Sequence, residues 1–402
     1  MTTLLRHTPS THFRPTGDLT AATPPEERSG RRDAVRLLVA EGTATDPRVT
    51  HTGFDRIGDH LRPGDALVVN TSATSPREVD AVLDGRGPVV LHVATALDAQ
   101  SVVVELRTSP DASAPVLDAA VGDVVALDLD AGDAGDTGES GDTDAPTQPA
   151  SSVLGARLRL EAPYPEDGSS PTGEGNRLWR ASVLVTDASG ADDASAAQDV
   201  GELLAGLDRA GRPIAYGYLA HRYPLAAYQT VFASIPGSAE MASAGRPFTA
   251  DLVTRLVTSG VLVAPVLLHT GVSSQEAEAP QPEWFSVPDV TADLVNHVRA
   301  RGGRVVAVGT TATRAVESAT DASGTVRAAE GWTDLVIGPD RPVRVVGGLV
   351  TGWHDPEASH LLLVESVAGP GLTQAAYDAA VSHRYGWHEF GDAGLFLPHR
   401  QP

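Results

Sequence analysis

The chain has 402 residues, 52 acidic against 30 basic, for a formal charge of −22, and it contains no cysteine. The missing cysteines exclude disulfides, thiolate metal sites and thiol nucleophiles together. Every basic residue is arginine, so a lysine Schiff base or a lysine general base is excluded as well.

This length predicts more than one domain. The start, Met1-Thr-Thr-Leu-Leu-Arg-His-Thr-Pro, carries no apolar stretch of signal-peptide length, and no run approaches the roughly 18 apolar residues of a membrane span. A soluble, cytoplasmic protein is the expectation.

In chain order, residues 1–30 are rich in Thr, Pro and Arg and are expected to be extended. Residues 31–39 read as a strand or short helix entering the core. Residues 54–61 read as a helix closed by the turn Arg62-Pro63-Gly64-Asp65, and 66–70 as a buried strand. From 76 to 208 the texture changes to short β-like runs at 89–93, 102–106, 124–129, 154–160 and 178–185. Each is followed by Gly, Asp, Ser or Pro, as in a small antiparallel sheet or barrel. Two acidic low-complexity tracts, 130–152 and 187–199, lack core-forming residues and read as loops.

After 209 strands and helices alternate. Thr249 caps a predicted helix over 249–257 that ends at Gly260, and residues 261–269 form a long apolar strand. A second amphipathic helix covers 289–301 and stops at Gly302-Gly303. The expected fold class is α/β: a large discontinuous α/β domain (1–75 and 209–402) with a small antiparallel β-barrel-like domain inserted at 76–208.

The stretch from Arg304 to Ser318 is the most telling. Val305–Val308 reads as a strand, Gly309-Thr310-Thr311 as a turn, and a helix follows with Ala312, Ala315, Val316 and Ala319 in phase. A strand leading through such a turn into a helix start offers unsatisfied N–H groups and a positive dipole end to an anion. The plain alternative is an ordinary βα unit with a threonine cap. His269 and His354 each stand where an apolar strand ends, and His383, Arg384, Tyr385, His388, Glu389 and Asp392 form a third polar cluster. No two histidines have the i,i+4 spacing of a helical zinc motif, and no metal is expected. Two arginine groups, Arg28, Arg31, Arg32, Arg36 and Arg299, Arg301, Arg304, could face a polyanion or simply lie on solvated helix surface.

Taken together and in order, these pieces resemble the S-adenosylmethionine:tRNA ribosyltransferase-isomerase family of queuosine biosynthesis. The resemblance rests on Arg62-Pro-Gly-Asp-Ala-Leu-Val-Val-Asn70, Tyr228-Gln-Thr-Val-Phe232, Ala244-Gly245 with Phe248-Thr249, and Leu268-His269-Thr-Gly271. It continues through Glu283, Ala307-Val-Gly-Thr-Thr311 with Arg314, Glu317 and Ser318, then Thr351 with His354 and Pro356, Tyr377, and Gly391-Asp392-Ala393. It implies two domains and ribosyl transfer with isomerisation from S-adenosylmethionine, as cosubstrate, onto the 7-aminomethyl-7-deazaguanine base of tRNA. It further implies Gly309, Thr310, Thr311 and Arg314 as the cradle of an anionic group of the cosubstrate. His269, Glu283, His354 and Asp392 become the catalytic candidates. The sequence departs from the family's pattern at Asn70-Thr71-Ser72-Ala73, at Pro247, at Ser273-Ser274-Gln275 and at Gly352-Trp353, mostly on the acceptor side. Those departures and the charge of −22 weigh against tRNA as a partner. They keep open a paralogue that consumes S-adenosylmethionine with a small acceptor or by elimination, and a non-catalytic binding protein.

Overall fold

A computed structural model describes residues 5–399, apart from 16, 130–155, 168–174, 187–191, 198, 273–277 and 357. The chain divides into two compact units, Met1–Ser75 with Tyr218–Pro402, and Pro76–Gly217.

The first unit opens with a short helix α1 (Pro25–Ser29), which interrupts the extended segment expected there. Strands β1 (Arg36–Gly42), β2 (Pro47–Gly53) and β3 (Ala66–Asn70) follow, then the short β4 (Ser72–Thr74). Phe54–His60, expected as a helix, is a 3₁₀ helix.

The second unit is a barrel of β5 (Glu78–Leu83), β6 (Gly87–Ala96), β7 (Ser101–Thr108), β8 (Val124–Leu127), β9 (Arg157–Pro163) and β10 (Leu178–Thr186). Every neighbouring pair is antiparallel, and β9 pairs back onto β10, so these six strands close without an edge. Val79, Leu91, Val104, Leu106, Leu158 and Trp179 belong to the core they enclose. β11 (Asp192–Ala197) pairs with the end of β10, so residues 192–197 of the tract read as a loop form a strand; the tract 130–152 lies outside the described residues. Helix α2 (Val200–Ala210) begins at Asp199, which accepts the Gly201 N–H, and places Val200, Leu203 and Leu207 on the barrel core. The segment expected to rejoin the large domain at 209 stays with the barrel as far as Gly217. There Arg212 pairs with Glu78 and Asp80 and its backbone exchanges bonds with Glu78.

The first unit resumes with β12 (Ile235–Ser238), α3 (Ala250–Thr258), β13 (Leu262–Leu268), β14 (Glu283–Val287), α4 (Asp289–Ala300), β15 (Val305–Val308) and α5 (Gly309–Ser318). It ends with β16 (Ala329–Thr333), β17 (Gly348–Thr351), α6 (Ser359–Ala368), α7 (Pro370–Ser382) and β18 (Ala393–Pro398). Its nine-stranded sheet runs β16-β14-β13-β3-β15-β17-β18-β1-β2, and β13, β3, β15 and β17 are mutually parallel. Alternate residues of β3 serve opposite faces: Ala66 and Val68 join the core under α4 to α7, while Leu67 and Val69 join the one under α3. Because the four central strands are parallel, Asn70, His269, Gly309 and Thr351 all emerge at the same edge, where α/β sheets hold their ligands.

Thr249 caps α3 by accepting the Leu252 N–H at 3.1 Å. Thr249→Ala is therefore expected to cost about 1 kcal/mol of stability in urea unfolding, with an unchanged m-value.

Candidate functional site

Helix α5 follows β15 directly, with no separate turn. Gly309 makes the bend at φ +91°, and a Cβ there would come within 3.3 Å of the Ala244 side chain. No side chain caps the start of α5, and the first N–H groups of a helix have no intrahelical partner. Asn70 secures the junction from the neighbouring strand. Its amide nitrogen donates to Leu268 O at 2.8 Å and Thr311 Oγ1 at 3.2 Å, and its oxygen accepts the N–H groups of Leu268 and Ser72.

The charged residues of α5 point inward. Arg314 lies in the second helical turn, buried, with its guanidinium paired to the Glu283 carboxylate and donating to the carbonyls of Gln281, Thr333 and Leu335. The residue expected to hold a ligand's anion and the residue expected to move a proton thus hold each other. Burial pushes the Glu283 carboxyl above its usual range, and Arg314 and the Gly271 N–H pull it back. Glu317, also buried, accepts the N–H groups of Arg344, Val345 and Val346, while Ser318 bonds Thr333. In the motif read as an anion cradle, Arg314, Glu317 and Ser318 thus fasten neighbouring segments of the chain.

A cleft open to solvent lies beside this helix start; its space, open solvent included, is about 610 Å³. Thr270, Gln281, Glu283, Thr310, Thr311, Arg314, Ser359 and His360 line it, with Val272, Pro280, Val336, Ile337 and Leu363 as its apolar wall. Thr270 Oγ1 and Gln281 Oε1 are buried there without hydrogen-bond partners among the described residues. Uncompensated buried polar atoms are costly, and in a cleft they mark where a ligand's own groups belong.

His269 stands next to Thr270. Its Nδ1 meets Ser72 Oγ at 2.8 Å, Ser72 Oγ meets Ser238 Oγ at 2.6 Å, and Ser238 Oγ accepts the Thr270 N–H. Gly237, at φ +151°, lies flat against the imidazole; a Cβ would come within 2.5 Å of His269 Cε1. The ring is fixed in orientation by this clamp.

His354 bonds Thr351 Oγ1 at 2.9 Å and stacks on His360 with ring centroids 4.7 Å apart. Burial holds the His354 imidazole well below its usual pKa, with the charges of His360 and His388 acting in the same direction. Burial, with the charge of Arg314, lowers His360 to about 4. His360 faces the cleft and His354 supports it from behind, an arrangement the sequence reading did not anticipate. Asp392 is elsewhere: it accepts from Arg36 N, Nε and Nη2 and from Gly386 N, which occupies both oxygens in joining β1 to the C-terminal strand β18. Expected among the catalytic residues, it is not one of the side chains lining this cleft. Among the described residues no group of three His, Asp or Glu is placed to hold a metal ion.

The fold is that of an α/β protein with a cleft at the carboxyl ends of its parallel strands and an antiparallel barrel inserted in the chain. Residues 10–396 match the family described as queuosine biosynthesis protein, and the chain belongs to that family. A relative from Methylorubrum populi, named S-adenosylmethionine:tRNA ribosyltransferase-isomerase, is 31% identical over 388 residues, 92% of this chain and 94% of its own. One of the same name from Symbiobacterium thermophilum is 43% identical over 178 residues, 42% of this chain; that match spans about half of the relative, 52%. A solved S-adenosylmethionine tRNA ribosyltransferase from Thermotoga maritima aligns at 24% identity and a TM-score of 0.46, over 96% of this chain and 99% of that one.

Arg314→Ala strips the counter-charge from a buried carboxylate, and a loss of about 3–5 kcal/mol in urea unfolding is expected. A change in ligand affinity with undiminished stability would contradict the assignment. The two histidines give a pH signature. Their folded pKa values lie below the unfolded value near 6.5, so the stability they contribute is present above about pH 6.5 and is lost as pH falls, for His360 through about 4. His360→Leu should flatten that decline, by on the order of 1–3 kcal/mol at pH 4.5, as read from denaturant midpoints.

Proposed function

We propose that the protein transfers and isomerises the ribosyl unit of S-adenosylmethionine onto the 7-aminomethyl-7-deazaguanine base of tRNA. The observation that carries this reading is the uncapped start of α5, Gly309-Thr310-Thr311, opening on a cleft with orphaned polar atoms in a chain of the queuosine biosynthesis family. The helix start takes the carboxylate of the cosubstrate through backbone N–H groups and the Thr310 and Thr311 hydroxyls. This replaces the Arg314 guanidinium, which is already committed, as the anion-holding group.

The sulfonium acidifies the ribosyl carbon beside it. A base takes that proton, adenine and methionine leave, and the ribosyl unit joins the acceptor amine. Of the four catalytic candidates, Glu283 is engaged by Arg314 and Asp392 by Arg36. His354 is set behind His360. His269, oriented by Ser72 and placed at a strand's carboxyl end beside cleft-lining Thr270, is the proton acceptor in this scheme. The charge of −22 favours a second reading, in which the same cosubstrate meets a small amine in place of tRNA.

Incubation with S-adenosylmethionine, with and without tRNA bearing the aminomethyl-deazaguanine base, separates the two readings. Adenine and methionine appearing only with that tRNA is the expected result. Release with a small amine alone would transfer the assignment to the second reading. His269→Ala should abolish release while leaving calorimetric S-adenosylmethionine binding intact. Normal turnover at a lowered melting temperature would make His269 a structural residue instead.

A further inference from the structure

The orphaned atoms of the cleft are all able to accept hydrogen bonds. Gln281 is about nine-tenths buried, at 8% exposure. Its amide nitrogen donates to Glu278 Oε1 at 2.9 Å. A carboxylate can only accept there, which fixes the amide's orientation and leaves Oε1 as the unsatisfied atom. Thr270 Oγ1 is likewise buried and unpartnered among the described residues. The His360 side chain makes no hydrogen bond among the described residues. It is held by stacking on His354 and faces the cleft. With its pKa near 4 the imidazole is neutral at ordinary pH, so one ring nitrogen is an acceptor and the ring does not repel a cation. Arg314, the one guanidinium lining the cleft among the described residues, is paired with Glu283. Three acceptors without a cationic partner therefore share a wall with the anion-attracting start of α5.

We infer that Gln281 Oε1, Thr270 Oγ1 and the His360 imidazole form a seat for a primary ammonium group, beside the carboxylate seat at the start of α5, so that the cleft takes the α-amino-acid head of its ligand. An ammonium has three donors and no acceptor, and these three groups supply one acceptor each. The pairing with the carboxylate seat also selects a zwitterion over either charge alone. This assignment rests on the S-adenosylmethionine reading for the identity of the ligand, but not for the chemistry of the head group.

Calorimetry on the full chain tests it with three probes: S-adenosylmethionine, its counterpart lacking the α-amino group, and its counterpart lacking the carboxylate. Wild-type protein should lose about tenfold in affinity on removal of the amino group. Gln281→Met and His360→Phe should each weaken S-adenosylmethionine by about tenfold and leave the deaminated counterpart bound as by wild type, with melting temperatures recorded as the folding control. Equal weakening of both probes, or no weakening of either, overturns the seat. If wild type binds no S-adenosylmethionine, free L-methionine decides. Binding that depends on Gln281 keeps the seat and removes the cosubstrate reading, whereas no binding, or binding indifferent to Gln281→Met, removes the seat.

Discussion

Burial of charge on helix α5 organises the large unit. A guanidinium and a carboxylate that leave water together must find each other or hydrogen-bonding partners, because the desolvation of either alone costs several kcal/mol. Arg314 finds Glu283 and three carbonyls; Glu317 finds three successive N–H groups. These bonds tie α5 to the start of β14, to the loop after β16 and to the segment before β17. Removing a charge from this helix would therefore release loops that form the cleft wall as well as the helix itself.

What remains unpaired stands out against that thoroughness. Along the cleft Thr270 Oγ1 and Gln281 Oε1 have no hydrogen-bond partner among the described residues, the His360 ring is held by its stack on His354, and no side chain caps the start of α5. The same helix thus divides its polar groups between two tasks. Its second and third turns place Arg314 and Glu317 in bonds within the fold, while its first turn has no side-chain cap. Asn70 bridges the two by locking Thr311 to the adjoining strand ends.

The barrel shows a similar economy on its own terms. Glu78, His92 and Glu105 sit side by side on three neighbouring strands, all buried, with Arg107 and Arg177 on Glu105 and Arg212 on Glu78. The two carboxylates raise the His92 pKa against the burial that lowers it, so the imidazolium is favoured between them. These residues alternate with Val79, Leu91 and Val104, which fill the barrel core, as the period of two requires.

The sequence alone indicated the α/β architecture, because short apolar runs such as 66–69 and Val305–Val308, bounded by turn residues, read as buried strands, and short β segments between turns read as a small antiparallel sheet. It also located the strand-to-helix junction at Gly309. It left β16 to β18 and helices α6 and α7 unassigned: β16 holds Glu330 and Gly331 among its five residues, and α6 and α7 are apolar nearly all round, with no amphipathic signature. Partnership was decided only by the tertiary structure. Arg314 and Glu283 are 31 residues apart and Arg36 and Asp392 are 356 apart, and no local pattern tells a carboxylate that meets a ligand from one that meets an arginine across the fold. His360 entered the cleft for the same reason. Only packing against His354 and the cleft wall gives its ring a neutral state and an open face.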